Sequence, residues 1–460
     1  MSKKLVIISI LLVFLLIGAL ILYATVQKVG ENKELSKKVE PVTLTYWRTT
    51  DTPGDISDII ADFHRRYSHI SVVVKQIKPE EYERALLEAW AEDRGPDIFS
   101  IPVTILEKYR SKIFAVPLGA SAELGRKYTT GTIKKQTKIT IDKIKVPNLR
   151  DLRETFIDAV SSGIVQDNKL YGLPLAVDTL VLYYNRDLLN NAGIAHPPLT
   201  WQEFVEDVRL LTIQDAKGNF IQSGAALGGV DNVSYLPEIL SLLMLQNGTT
   251  MITEKNKIGF NLPASDDPSY FPGQEAVRFY LSFSQKGKET YTWNDSMPND
   301  FDAFISGKLA FYFGLASDGE RIRQMAPKLN FDSAPVPQIA GSLRSVNLAN
   351  YYLETVSFKT AHPDEAWGFL LQLLNPEIVK SFLAKTKYPT AHRDLIEWQM
   401  QDYELEPFAQ SVLTAKCWYK GKDYNIVREA LREMIKSIKQ GTMSISEALE
   451  FYGKKIALTL

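Results

Sequence analysis

YGLPLAVDTLVLYYNRDLLNNAGIAHPPLTWQEF, residues 171–204, is the stretch whose reading decides the fold. An apolar run interrupted by Pro174 leads to a single carboxylate, Asp178. Residues 180–184 then read as an aromatic strand, and Asn185-Arg186-Asp187 opens a short amphipathic helix. Pro197-Pro198-Leu199-Thr200-Trp201 reads as the start of a second helix. Tyr183 and Tyr184 alternate in the strand, so one of them faces a core.

The same alternation of strand and helix begins near the front of the chain. In 42–47, Val42, Leu44 and Tyr46 alternate with Thr43, Thr45 and Trp47, as in a strand with one buried face. Pro53-Gly54 signals a turn, and Asp55 is placed to cap a helix whose Ile56, Ile59, Ile60, Phe63 and Tyr67 recur at helical spacing. Residues 70–74 form a β-branched run. Tyr82, Leu86 and Ala89 make the next helical stripe, and 97–101 reads as a short strand. Strand, helix, strand, helix, strand implies an α/β chain with crossovers and a mostly parallel sheet. At 460 residues the chain exceeds what one core organises, so at least two domains follow.

Composition narrows the function. Hydrophobic content of 45% and charged content of 23% are ordinary for a globular protein, and the net charge of −1 offers no global attraction for nucleic acid. Aromatic residues make up 11%, most of them expected in cores. The five histidines have no ligand spacing, and a lone cysteine, Cys417, permits neither an internal disulfide nor a cysteine-based zinc site. No nucleophile elbow, phosphate loop or dinucleotide fingerprint occurs, so neither catalytic chemistry nor a cofactor is expected. Basic residues gather at 126–145, where Asp142 is the only acid. That span reads as a solvated excursion, with a lipid-facing patch as the lesser reading.

The N-terminus is a separate object. Lys3 and Lys4 precede an uncharged run of 20 residues, 5–24. As a helix it would span about 30 Å, the thickness of a bilayer core. Cleaved signals carry a shorter apolar region and a small-x-small exit, whereas here the exit is Leu22-Tyr23-Ala24. The reading is an uncleaved signal anchor at 1–26, a single-pass transmembrane helix with its lysines inside, and a polar tether at 27–39. A protein secreted after cleavage at Ala24 is the alternative.

Taken in order, these segments resemble the bacterial extracellular solute-binding proteins of family 1, the maltodextrin-binding class. Residues 171–204 resemble the hinge and second-lobe start. VTLTYWRTTDTPGDISDIIADFHRRYSHISVVV (42–74) and YERALLEAWAEDRGPDIFSIP (82–102) are similar to the family's opening strands and helices. FDAFISGKLAFYFG (301–314) carries a Phe-x-x-Gly-Lys-x-Ala pattern, and 362–382 and 441–451 resemble the closing helices. The chain departs from the many lipoprotein members in having no cysteine after its apolar run.

The resemblance implies a type II periplasmic-binding-protein-like α/β fold, with mixed, mostly parallel sheets in two lobes. Lobe one is expected at 40–177 and 333–385, and lobe two at 178–332 and 386–460. Its implied function is capture of an oligosaccharide by lobe closure and delivery to an ABC-type permease, by a monomer held at the membrane. A peptide or other polar-solute binder, or an anchored ligand sensor, are the alternatives on this fold.

Candidate ligand residues follow from strand ends and the resemblance together. Trp47 ends the first strand and could stack a sugar face, with Asp51 in the next loop accepting from hydroxyls. Asp178 lies at the first crossing between lobes. Trp293 precedes a helix, and Phe313 ends the strand 309–313. Beyond it, Leu315-Ala316-Ser317 are small where the family often has a bulky aromatic. Tyr352 precedes a strand, Tyr388 sits at an expected third crossing, and Trp418 lies in the loop before a long C-terminal helix. For the aromatics, core packing is the competing role.

Overall fold

A computed structural model of the chain describes residues 35–49, 54–130, 136–342 and 344–460. The expected anchor at 1–26 and the candidate Asp51 lie outside the described residues. Among the described residues no helix is long and apolar enough to cross a membrane.

Lobe one starts with β1 (Val42–Arg48), which runs parallel to both β2 (Ile70–Gln76) and β3 (Ile98–Pro102). The crossovers are α1 (Ser57–Arg66) and α2 (Pro79–Ala91). The alternation seen in the sequence is real: Leu44, Tyr46 and Arg48 are buried on one face, while Trp47 is half-buried on the other. Helix α1 buries Ile59 and Phe63. It differs from expectation at its start, where Ile56 and not Asp55 holds the cap position and no side chain caps it. The preceding turn is closed instead by the Ser57 hydroxyl, which donates to the Gly54 carbonyl at 2.7 Å. A long antiparallel ribbon follows, β4 (Ser121–Thr130) against β5 (Gln136–Lys145).

The chain leaves lobe one at Asp178. Its N–H donates to the Asn350 carbonyl at 2.7 Å, and the Asn350 N–H returns a bond of 2.9 Å, so two crossing segments pair side by side. Beyond lies β6 (Val181–Asn185). Asn185 fixes the turn after it, accepting from the N–H groups of Asp187 and Leu188. Thr200 and Glu203 form a capping box at the start of α3 (Trp201–Leu211). Then come β7 (Phe220–Ala225), β8 (Leu309–Gly314), α4 (Ala316–Met325) and β9 (Phe331–Pro335). The sheet order is Ile213–Gln214, β7, β8, β6, β9.

Two sequence expectations need correction here. In the second-lobe sheet β7 and β8 pair in parallel, while β6 runs antiparallel to both β8 and β9. The physical reason is the hinge: β6 carries the chain away from it, and β8 and β9 carry the chain back. The boundaries move as well. All of 331–335 pairs with β6, so the return to lobe one falls near 346–350 and not at 333. Strand β10 (Tyr352–Val356) then joins β3 antiparallel, and α5 (Pro363–Leu371) packs beside it.

The third crossing is also later than 386. Ala391, Leu395 and Val412 belong to the first lobe's core, while Phe408 between them packs into the second. The crossing itself is where Ala415–Lys416 pairs in parallel with Asn347–Leu348. Helices α6 (Tyr424–Lys439) and α7 (Ile445–Ala457) complete lobe two. Each lobe has its own core, as a chain of this length requires. The core of lobe one contains a charged knot. Buried Glu354 accepts from Tyr46 at 2.5 Å and from Ser100, with Arg48 at 3.7 Å.

Candidate ligand cleft

The crossings leave a cavity of ≈ 430 Å³ between the lobes, with residues of both in its lining. On the first-lobe side, Tyr82 stands where α2 meets the sheet. Its hydroxyl donates to the Trp47 carbonyl and accepts from the Ser100 N–H, both at 3.0 Å, which fixes the ring at the mouth of β1. Thr49, Thr104 and Tyr352 add polar atoms from the carboxyl end of β1, the segment after β3 and the start of β10. Lys108 pairs with Glu83 at the rim.

The second-lobe side is aromatic. Trp418 packs edge-on against buried Phe260 at 5.8 Å and against Tyr419 at 5.7 Å. Tyr419 is fixed by its hydroxyl, which donates to Thr459 Oγ1 at 2.7 Å. Tyr424 lies beside Tyr419 at 5.6 Å. Behind them sits Glu238, 3.6 Å from Arg428 and 3.5 Å from the Tyr424 hydroxyl. Burial raises the Glu238 carboxyl above its ordinary value, and Arg428 offsets part of that rise.

At the junction of the lobes, Asp178 accepts from the N–H groups of Ala316 at 3.0 Å and Thr179 at 2.9 Å. Burial pushes its carboxyl up to about 7, and these two bonds hold it from rising further. Part of Asp178 still opens on the cavity. A second hollow of ≈ 580 Å³, lined by Asp55, Ala316, Ser317, Arg323 and Tyr388 among others, borders the same junction.

The structure therefore brings Asp178, Tyr352 and Trp418 together on one cavity and puts Tyr388 on its neighbour. Trp47 lines neither; its ring lies under Lys75 Nζ at 4.3 Å on the far face of β1. Trp293 and Phe313 belong to the second-lobe core, which corrects the expectation that they line the cleft. Trp293 is fully buried against Gly229, where an added Cβ would come within 3.0 Å of the indole. Phe313 stacks on Trp201 at 6.0 Å, because β8 is buried on both faces. The sequence reading missed Tyr82, Tyr235, Glu238 and Arg428. Glu238 did leave a signal, since it is the only charge in the apolar helix Leu236–Gln246.

Such a cavity offers rings, amides, hydroxyls and carboxylates from two lobes. Among the described residues no group of three or more His, Cys, Asp or Glu side chains is arranged to hold a metal. The arrangement is that of a binding cleft.

Known proteins place the chain in a class. The model of the bacterial extracellular solute-binding protein family matches residues 47–380, and the chain belongs to that family. It is a binding protein and not an enzyme, and its binding lobes lie outside the cytoplasm. Among solved structures it is similar to a cyclo/maltodextrin-binding protein complexed with maltotetraose, with a TM-score of 0.70 at 16% identity, covering 90% of this chain and 96% of that one. A cyclic alpha-maltosyl-1,6-maltose binding protein from Arthrobacter globiformis superposes with a TM-score of 0.69 at 17% identity, covering 91% and 98%. These likenesses confirm the two-lobe fold. Sequence relatives in Bacillus subtilis (strain 168) are the maltodextrin-binding protein MdxE, 27% identical over 40% of this chain and 41% of that protein, and a galactooligosaccharide-binding protein, 23% identical over 42% and 39%. The chain spans half or less of the length of the curated relatives it matches.

Proposed function

We propose that this protein captures a carbohydrate, specifically an oligosaccharide, by closing its lobes around it, and delivers it to an ABC-type permease. The observation that carries this reading is a cavity lined with rings and polar groups from both lobes. Trp418, Tyr419 and Tyr424 stand on one side with Glu238 and Arg428, and Tyr82, Tyr109 and Tyr352 on the other with Thr49 and Thr104. Sugar rings present apolar C–H faces that suit aromatic walls and hydroxyls that suit polar ones. The names of the Bacillus subtilis relatives and the maltotetraose bound to a structural neighbour support the same class of ligand.

Closure follows from the ligand touching both lobes, because the closed population rises by the differential affinity for it. The uncharged run 5–24 is read as an anchor that holds the binder beside its permease and raises the local concentration there. A thermal-shift screen over sugars, peptides and polyols tests the ligand class. At about 100 times its Kd a true ligand stabilises the fold by about 2.7 kcal/mol. A shift with peptides alone would reject the carbohydrate reading. Fractionation tests the anchor, since a soluble form starting at Thr25 would exclude it.

A further inference from the structure

The β4–β5 ribbon stands apart from the ligand cleft and is not used by it. Its base is fixed to lobe one. Leu124 packs against α5 so closely that a Cβ at Gly368 would lie 2.5 Å from it. Asp142 accepts from Tyr67 at 3.1 Å and pairs with Arg126 at 3.1 Å. Arg126, Lys127, Tyr128, Thr129, Thr137 and Lys138 are all exposed, on both faces. A two-stranded ribbon alone is at best marginally stable in water, so an exposed length of this kind fits a surface that covers it.

Its chemistry says which surface. The ribbon carries five basic side chains against two acids, in a chain whose net charge is −1. Both acids are already paired, Glu123 with Lys143 at 2.8 Å and Asp142 with Arg126. Directly paired residues share a face. One face therefore bears Lys127, Ile139, Ile141, Lys143 and Lys145, with cations and β-branched residues side by side. Tyr128 and Lys138 stand opposite each other on the other face. Cations flanking aliphatic and aromatic side chains are the composition that settles at a lipid headgroup boundary.

The course of the N-terminal segment gives the position. Lys38 and Val39 cross the ribbon at Gly125, where an added Cβ would lie 2.2 Å from the Lys38 carbonyl oxygen and 2.8 Å from Val39 Cγ1. The chain that connects to the apolar run 5–24 thus leaves the fold from this ribbon. Only 13 residues separate Ala24 from Lys38, a length of chain that reaches at most about 50 Å even fully extended. On the anchor reading, on which this inference rests, the ribbon is the part of the fold held next to the bilayer.

We propose that the β4–β5 ribbon is a docking surface for anionic membrane lipid, which lays the binding lobes on the membrane in one orientation. The test uses the full chain in nanodiscs of phosphatidylcholine, with or without phosphatidylglycerol, and follows amide hydrogen exchange along the ribbon. Exchange at 126–129 and 137–141 should slow about tenfold or more only with phosphatidylglycerol, and the slowing should vanish at high salt. A Lys127→Glu, Lys138→Glu variant should lose the slowing while its melting temperature stays unchanged. Equal exchange in the two lipids would overturn the proposal, and so would protection that follows protein concentration, which would assign the ribbon to a second copy. If the anchor reading fails, the protein leaves the discs. Cosedimentation of that released form with phosphatidylglycerol vesicles then supports the docking surface, and failure to cosediment overturns it.

Discussion

The two walls of the cleft are built differently. The first-lobe wall consists of side chains set at the ends of a sheet and fixed by backbone partners, as Tyr82 is by Trp47 and Ser100. The second-lobe wall is a layer of aromatic rings around a half-covered acid, with Trp418, Tyr419 and Tyr424 beside Glu238. The first-lobe wall also carries rings, Tyr82, Tyr109 and Tyr352, but spread along strand and helix ends, whereas Trp418, Tyr419 and Tyr424 lie beside one another. On the proposed function, the second lobe would hold the ligand first and the first lobe would close over it.

Four tryptophan and aspartate substitutions sharpen that contrast. The largest effect is expected from Trp293→Ala, which removes a fully buried ring from the second-lobe core and should cost about 3–5 kcal/mol in an unfolding curve. Ligand affinity of the protein that remains folded should be unchanged. Trp418→Ala reverses the pattern. It should weaken ligand by about 2 kcal/mol, roughly thirtyfold in Kd by titration, with a smaller loss of stability. If Trp418→Ala leaves the Kd unchanged, the aromatic wall is not the holding surface.

Trp47→Ala decides between the strand-end expectation and the position beneath Lys75. From that position it should cost about 1–2 kcal/mol of stability and leave affinity alone. A large loss of affinity would bring the first-lobe wall into the holding role. The last effect is a pH dependence set by Asp178. Its carboxyl is raised to about 7, so between about pH 4 and 7 the folded protein keeps a proton that the unfolded chain has released. The stability due to the neutral form is present at about pH 4 and lost as pH rises through 7. Asp178→Asn should flatten that fall, measured as melting temperature against pH.

Much of the scaffold was legible because local patterns and tertiary roles agree. The alternation in 42–47 matches the buried face of β1, and the 171–204 reading matches β6, its Asn185 turn and the capped α3. Lobe boundaries were less legible. Residues 331–335 and 391–395 have no local signal for which core they join, and only their pairing and packing assign them. The site was legible in part. Asp178, Tyr352 and Trp418 meet at the cavity, while Trp293 and Phe313 were indistinguishable from cleft aromatics until burial placed them.

By itself the sequence determined the class of fold, the two-core organisation and the absence of catalytic motifs. These depend on periodicity, length and residue type, which are properties of the chain alone. Tertiary structure decided which aromatic rings face the cleft and which acid stands behind them. It also decided that 121–130 and 136–145, which hold most of the basic residues of 126–145, pair as a ribbon crossed by the N-terminal segment. Those are matters of what one segment meets across hundreds of residues, and a ring has the same composition whether it meets solvent or a core.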